Sequence, residues 1–333
     1  MVEGTMGSHH KEGSTKMSQT STVAAGIDVA KEHLDIAVHG CKQSWQVANT
    51  PEGFRELVRL MRQHQVARIG LEATGGYERE VVEYLRAAGL IVLVLQPRQV
   101  RAYAVAKLRH AKTDRIDAQL IAAFVVEHGI VREAPDPRLS ALAERLTCLE
   151  QIEQDMARIK VRLEHVRDAD VQRSWKADLA RLKQRRASMI AKLVTLLRKH
   201  DDLANRLNLL LSIDGIGPRT AIALMIRMPE LGRLSRGEAA ALAGLAPFNN
   251  DSGKRVRQRS IAGGRTRLRT NLYAAALPAA FQWNAALKRL YARLKAAGKP
   301  HKLALVACAR KLLVFANTVL ARGTPWIKSA AAA

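Results

Sequence analysis

Between residues 23 and 96, short apolar runs and helical periodicity follow one another in an order that few folds accept. Residues 24–29 (AAGIDV), 34–38 (LDIAV) and 44–48 (SWQVA) read as strands, and only a handful of residues separate each from the next. Connections that short favour antiparallel neighbours, so the three make a meander. Thr50 and Pro51 then have the chemistry of an N-cap and a first helical residue, and Phe54, Leu57, Val58 and Met61 recur at helical spacing. Residues 68–72 (RIGLE) read as a fourth strand, 77–88 as an amphipathic helix, and 91–95 (IVLVL) as a fifth strand stopped by Pro97. A meander followed by alternating helix and strand is an α/β domain with a mixed sheet.

Three of these strands carry acids, and two of those acids stand at strand ends. Asp28 lies between Ile27 and Val29, and Glu72 ends the fourth strand just before the turn Ala73-Thr-Gly-Gly76. A carboxylate in an apolar strand is costly unless it is paired or ligates a metal. Strand-end acids in an α/β sheet also tend to line the crevice at the carboxyl edge. Further along, the stretch 107–118 (KLRHAKTDRIDA) contains what reads as the first turn of a helix running to about residue 126. Asp114 and Asp117, three residues apart, share one face of its first turn, with Lys107, Arg109, His110, Lys112 and Arg115 around them. This stretch alone also suits an ordinary helix start, with Thr113 as N-cap and acids favoured by the helix dipole. Asp28, Glu72, Asp114 and Asp117 together offer hard oxygen ligands for two Mg²⁺, or Mn²⁺, ions. Two such ions stabilise the attacking and leaving oxygens of a phosphoryl displacement.

The charge balance names the class of partner. The formal net charge is +24 over 333 residues, with a pI of about 10.6. Such a surplus points to a polyanion, above all nucleic acid. No apolar run approaches the ~20 residues of a membrane span, so no membrane partner is expected. Cys41, Cys148 and Cys308 are far apart and form no CxxC, which argues against a disulfide framework and a zinc site. Residues 1–22 are polar, aperiodic and without the apolar core of a signal peptide, so they are expected to be a flexible leader in which His9 and His10 carry no metal.

After residue 138 the pattern becomes helical. Leu142, Leu146, Leu149, Ile152, Met156, Ile159, Leu163 and Val166 step by threes and fours. After a break expected at 168–173, Trp175, Leu179, Leu182, Met189, Leu193 and Leu196 do the same. This heptad-like seam over 139–200 is either a helical hairpin or a dimerising coiled coil. Next, Gly215-Ile-Gly217 between two apolar segments reads as a helix-hairpin-helix, whose second helix, with Arg219 in its first turn, offers free N–H groups to a phosphate. Plain helix–helix connections share that pattern.

From residue 252 to the end there are seventeen Lys or Arg and no Asp or Glu. Lys254, Arg255, Arg257, Arg259, Arg265, Arg267 and Arg269 fall within sixteen residues, together with Gly263 and Gly264. A solvated face would mix signs, so this reads as a phosphate-binding surface with steep salt dependence. Aromatic residues are only 4% of the chain, so base stacking is not expected to dominate. Helices over about 268–281, 285–297 and 303–320 would pack beneath that surface.

Gly26-Ile-Asp-Val-Ala-Lys31, Leu71-Glu-Ala-Thr-Gly-Gly-Tyr77 and Lys112-Thr-Asp-Arg-Ile-Asp-Ala118 resemble the motifs of the DEDD insertion-sequence transposases, relatives of the Piv invertase. Gly244-Leu-Ala-Pro247, Ser252-Gly253, Gly263-Gly-Arg265 and Leu268-Arg269 resemble that family's second domain. The resemblance spans roughly residues 24–326. It implies a RuvC-like, ribonuclease-H-fold domain over 23–130 whose metal set is Asp28, Glu72, Asp114 and Asp117. It implies coiled-coil arms over 139–200 and a mainly helical transposase domain over 201–328 with Ser252 as nucleophile. Asp35 matches no position of the set and is expected to face solvent, and Ser260 is the false candidate for the serine.

The family's chemistry implies attack of Ser252 on a DNA phosphodiester, a covalent phosphoserine link and strand exchange between donor and target DNA, guided by a structured non-coding bridge RNA. It also implies a homodimer or homotetramer at work in the bacterial cytoplasm, on the nucleoid. A metal-dependent junction resolvase that uses water, and a non-catalytic nucleic-acid scaffold, are the alternatives.

Overall fold

A computed structural model of the chain describes residues 23–107, 114–131, 136–248 and 260–327. It divides between Ala134 and Pro135 into two units. The first is an α/β unit with strands β1 (Ala24–Val29), β2 (His33–Val38), β3 (Ser44–Ala48), β4 (Arg68–Glu72) and β5 (Ile91–Leu95). Their order in the sheet is β3-β2-β1-β4-β5. β1, β2 and β3 pair antiparallel, while β1, β4 and β5 pair parallel. The expected mixed sheet is therefore present, with the expected strands.

Side chains alternate between two faces, each covered by helices. Ile27, Val29, Leu34, Ile36, Ile69 and Leu71 pack with Phe54, Leu57 and Met61 of α1 (Pro51–Gln63) and with Val81 and Leu85 of α2 (Arg79–Ala87). Thr50 caps α1, its hydroxyl accepting from the Gly53 N–H at 3.4 Å, with Pro51 as its first residue. On the other face Ala24, Leu93 and Leu95 pack with Val100 and Tyr103 of α3 (Pro97–Ala106) and with Ile121 and Val125 of α4 (Asp114–His128). α3 departs from expectation. Pro97 does stop β5, but it also opens a helix, because the missing N–H costs nothing at a first position and Gln96 and Gln99 close a capping box there.

Among the described residues, the second unit is helical apart from one two-residue ladder. α5 (Pro137–His165) and α6 (Ala169–Leu197) form an antiparallel hairpin. Cys148 meets Arg185, Glu153 meets Arg186 and, nearest the tip, Arg162 lies over the Trp175 ring at 4.9 Å. The break spans residues 166–168 rather than 168–173, because the Asp168 carboxylate accepts from the N–H groups of Asp170 and Val171 and starts α6 at once. Only the root of the hairpin joins a core: Leu142, Leu146, Leu149, Leu193 and Leu197 pack with the remaining helices, whereas Met156, Leu163, Leu179 and Leu182 stay half-buried.

That core contains α7 (Asp201–Leu211), α8 (Pro218–Arg227), α9 (Arg236–Leu242), α10 (Thr266–Pro278), α11 (Ala285–Ala296) and α12 (His301–Arg322). Pro278 lies inside the run of α10, where it has no N–H for the helical ladder, and the chain continues as a π-helical turn, Ala279–Trp283. Against the sequence expectation, α12 is long and apolar enough by composition to cross a membrane. It is instead a core helix, with Leu305, Cys308, Leu312, Leu313 and Ala316 fully buried in the unit. All three cysteines are free.

Candidate metal centre and nucleic-acid interface

Glycine places the acids of the α/β unit. Gly26 and Gly70 face each other in the β1–β4 register, and α4 lies directly on both. A Cβ at Gly26 would sit 2.0 Å from the Ala118 carbonyl oxygen and 2.4 Å from the Ala122 nitrogen. One at Gly70 would sit 2.3 Å from a Val125 methyl. Asp28 and Glu72 are each two residues further along their strands, so both belong to the face that α4 covers. The direction of α4 follows from the same contacts. Its C-terminal end reaches the start of β4, where Arg68 donates to the Gly129 carbonyl at 3.5 Å. Its N-terminal turn, with Asp114 and Asp117, therefore runs towards the strand ends that bear Asp28 and Glu72.

The side chain of Asp114 lies outside the described residues, as do Thr113, Arg109, His110 and Lys112. Asp117 is half-buried in α4. Asp28, Glu72 and Asp117 each have an interaction partner. Among the described residues no three His, Cys, Asp or Glu side chains form a group able to hold a metal ion. Lys107 is not beside these acids. Its ammonium donates to Glu127 at 2.9 Å, at the opposite end of α4.

Asp35 departs from expectation too. It stands directly opposite Asp28 in the β1–β2 register, on the same face, with a side chain 16% exposed. It accepts from Gln46 at 3.0 Å and lies 3.4 Å from His33. Two carboxylates facing each other across a ladder repel. The signal in the sequence was the hairpin register: with Lys31 and Glu32 as the turn, Asp28 and Asp35 must pair.

The turn after Glu72 is held by a residue that sequence reasoning missed. The Glu78 carboxylate accepts from the Thr74 N–H at 3.1 Å, the Thr74 hydroxyl at 2.9 Å and the Gly76 N–H at 2.8 Å. Burial pushes its pKa up, but the bonds from its own backbone, Gly76 and Thr74 outweigh that and hold it below the ordinary value. Asn49 ties the same edge together, donating to the carbonyls of Ala30 and Tyr77 at 3.0 and 3.3 Å.

In the helical unit, Ser252, Lys254, Arg255, Arg257 and Arg259 lie outside the described residues. The flanking residues are anchored. β6 (Pro247–Phe248) pairs with β7 (Ser260–Ile261), and beneath them two backbones touch. A Cβ at Gly264 would sit 2.2 Å from the Gly244 nitrogen, and both glycines have positive φ. Arg269 bridges these two backbone segments, donating to the Gly263 and Gly244 carbonyls at 2.6 and 3.3 Å.

The other arginines expected to meet phosphate already have internal partners. Arg219, 13% exposed, donates to both oxygens of Glu153 at 2.8–3.0 Å. Arg265 is bidentate to Glu230 at 2.6 and 2.8 Å. Arg267 reaches Glu150 at 3.1 Å while staying 56% exposed. Gly215, at φ +99°, serves packing, since a Cβ there would sit 2.4 Å from that of Ala279. Gly217 is the N-cap of α8, with open space beside it.

A family model described as a transposase matches residues 25–169, and one of the transposase IS116/IS110/IS902 family matches residues 207–292. Pilin gene-inverting proteins of Moraxella bovis and Moraxella lacunata are each 26% identical over 322 residues, covering 91% of this chain and 97% of theirs. The Thermus thermophilus RuvC structure aligns with a TM-score of 0.27 at 18% identity, over 33% of this chain and 98% of that one. Matched in both units, in the order in which its motifs occur, the chain belongs to this family of insertion-sequence transposases and is a DNA recombination enzyme.

Proposed function

We propose that this transposase cuts and rejoins DNA at the ends of its element through a two-metal acidic site and a serine nucleophile. Asp28, Glu72, Asp114 and Asp117 hold two Mg²⁺ ions, which Mn²⁺ can replace, and Ser252 attacks the phosphodiester to form a phosphoserine–DNA link. The observation that carries the acidic site is the shared face of Asp28 and Glu72 at adjacent parallel strand ends, with the first turn of α4 directed to the same edge. All-oxygen donors suit Mg²⁺, and the opposition of Asp28 and Asp35 is the kind of local charge that a bound cation relieves. The strand order β3-β2-β1-β4-β5 agrees with the ribonuclease-H-like, RuvC-like assignment. The metals supply Lewis acidity. The cations of the helical unit supply charge to the phosphorane.

In this reading a structured bridge RNA pairs with donor and target DNA, and the protein binds it largely through phosphates. The protein works as a homodimer or homotetramer in the bacterial cytoplasm, on the nucleoid. The test uses the element's ends, its flanking RNA and Mg²⁺, with wild type, Ser252→Ala and Asp114→Ala. A protein–DNA adduct that survives denaturation is expected for wild type and for neither variant. Cleavage without an adduct, unaffected at Ser252, would make water the nucleophile and the enzyme a resolvase. No processing under any condition would leave a binding scaffold.

A further inference from the structure

Three aromatic rings meet at the surface where the π-helical turn, α11 and α12 come together. The Phe281 ring lies 4.8 Å from that of Tyr291, and the Tyr291 ring 5.8 Å from that of His301, both edge-on. Phe281 and His301 are more nearly parallel, at 27° with centroids 6.5 Å apart. Tyr291 also hydrogen-bonds His301, its hydroxyl 2.7 Å from Nδ1. Phe281 nevertheless stays 43% exposed, and His301 is exposed as well.

The backbone beneath Phe281 is held firmly. Ala279 and Ala280 are buried in the helical core, which anchors the turn that follows Pro278. At the far end of the turn the buried Asn284 donates to the Asp214 carbonyl at 3.0 Å and accepts from the Leu287 N–H at 3.1 Å. Leu277 near the end of α10 and Leu303 in the first turn of α12 are exposed too. Large apolar side chains gathered at a surface mark a place where something binds.

The surroundings name the partner. Residues 285–302 carry six Lys or Arg, and neither α11 nor α12 has an Asp or Glu. Lys288 and Lys295 stand three residues before and four after Tyr291, on its flank of α11. Lys302 adjoins His301. Lys288, Arg289, Arg293 and Lys302 are exposed and have no carboxylate partner among the described residues. Two copies of the chain meeting through this corner would set like charges against each other, which opposes a protein contact of that kind. A strand of nucleic acid complements it, because each base has a flat π-face for the rings and each phosphate a charge for the lysines.

We propose that this corner is a stacking platform for an unpaired base of a DNA or RNA strand. Phe281 and His301 take the base, and Lys288, Lys295 and Lys302 take the flanking phosphates. The assignment rests on the nucleic-acid reading above and adds one base-binding site to it. A base inside a duplex is already stacked on its neighbours and cannot offer its face, so the platform selects unpaired segments.

The test titrates the full chain with a single strand and with the duplex of the same sequence, each as DNA and as RNA. Phe281→Leu keeps the apolar bulk and removes the π-face, Phe281→Trp keeps the face, and His301→Ala removes the second ring. Phe281→Leu is expected to bind the single strand about fivefold or more weakly throughout a salt series, and the duplex as wild type does. Phe281→Trp should keep the wild-type affinity for both. His301→Ala should shift in the same direction as Phe281→Leu, so the outcome does not hang on one position. A larger loss on DNA or on RNA assigns the strand, and equal losses assign the platform to unpaired bases of either. Unchanged single-strand affinity in both Phe281→Leu and His301→Ala overturns the platform, as does an equal loss on strand and duplex. A wild-type dimer that Phe281→Leu dissolves without nucleic acid also overturns it, making the corner a contact between copies. Failure of wild type to bind any oligonucleotide overturns the nucleic-acid reading itself.

Discussion

Gly26 and Gly70 hold α4 against the sheet by having no side chain. The Gly26 contacts are with backbone atoms of α4, which cannot swing aside as a side-chain end can. Gly26→Ala is therefore expected to cost about 3 kcal/mol in urea unfolding, at the upper end of overpacking effects. It also lifts the turn that carries Asp114 and Asp117, so metal-dependent cleavage should fall more than the loss of folded protein explains. In the sequence Gly26 reads only as part of a strand motif, because a steric demand from residues ninety positions away leaves no local mark.

Glu78 acts at the same scale and has a pH signature. Its carboxyl titrates below the ordinary 4.5 in the folded protein, so the stability it contributes is fully present above that value. That contribution is lost as pH falls through the depressed folded value. Glu78→Gln should melt a few degrees lower at neutral pH, and the two melting curves should converge as pH drops well below 4.5. Equal separation at all pH values would mean that the three hydrogen bonds at the Ala73-Thr-Gly-Gly76 turn do not depend on the charge.

Elements differ in how much of their apolar seam is used. The repeat along α5 is nearly uniform in sequence, yet Leu146 is fully buried and Leu163 only partly. Two helices alone cannot enclose their shared seam, whereas the root has further helices around it. Leu146→Ala is expected to cost about 3–5 kcal/mol and Leu163→Ala under about 1.5 kcal/mol in denaturant unfolding. Native-state hydrogen exchange should likewise be fastest towards the hairpin tip.

Glu153 links α5 to α6 and α8. Burial raises its pKa, but Arg219 and Arg186 outweigh this and hold it low, so its contribution is lost as pH falls through the depressed folded value. Glu153→Gln should destabilise by about 2 kcal/mol at neutral pH, between surface and buried ion-pair limits, and by less in acid. Neither link was legible in the sequence, since the partners of Glu153 lie 33 and 66 residues away.

For the molecule as a whole, the positive surplus divides into two populations. Arg219 and Arg265 are held by carboxylates, while Lys288, Lys295 and Lys302 are exposed on α11 and α12. Arg265→Ala should lower stability through the loss of its bidentate partner. Lys288→Ala, Lys295→Ala and Lys302→Ala should leave stability within about 0.5 kcal/mol. If these lysines meet phosphate, each substitution also reduces the slope of log affinity against log salt by about 0.9 on duplex DNA. An unchanged slope in the triple variant would remove this face from the interface.

By itself, the sequence determined the five strands and the mixed character of their sheet, the two helical arms, the motif acids and the basic character of the second unit. Each of these depends on neighbours a few residues apart: strand and helix periodicity, short connections, caps, and counts of charge. Even the departures at Pro97 and Asp168 were matters of local capping. Only the tertiary structure decided that Asp28 and Glu72 share the α4 face, that Asp35 stands opposite Asp28, and that α12 is a core helix. Only it decided which arginines are committed to carboxylates. Those outcomes depend on close approach and electrostatic pairing between residues far apart in the chain, for which residue spacing holds no record.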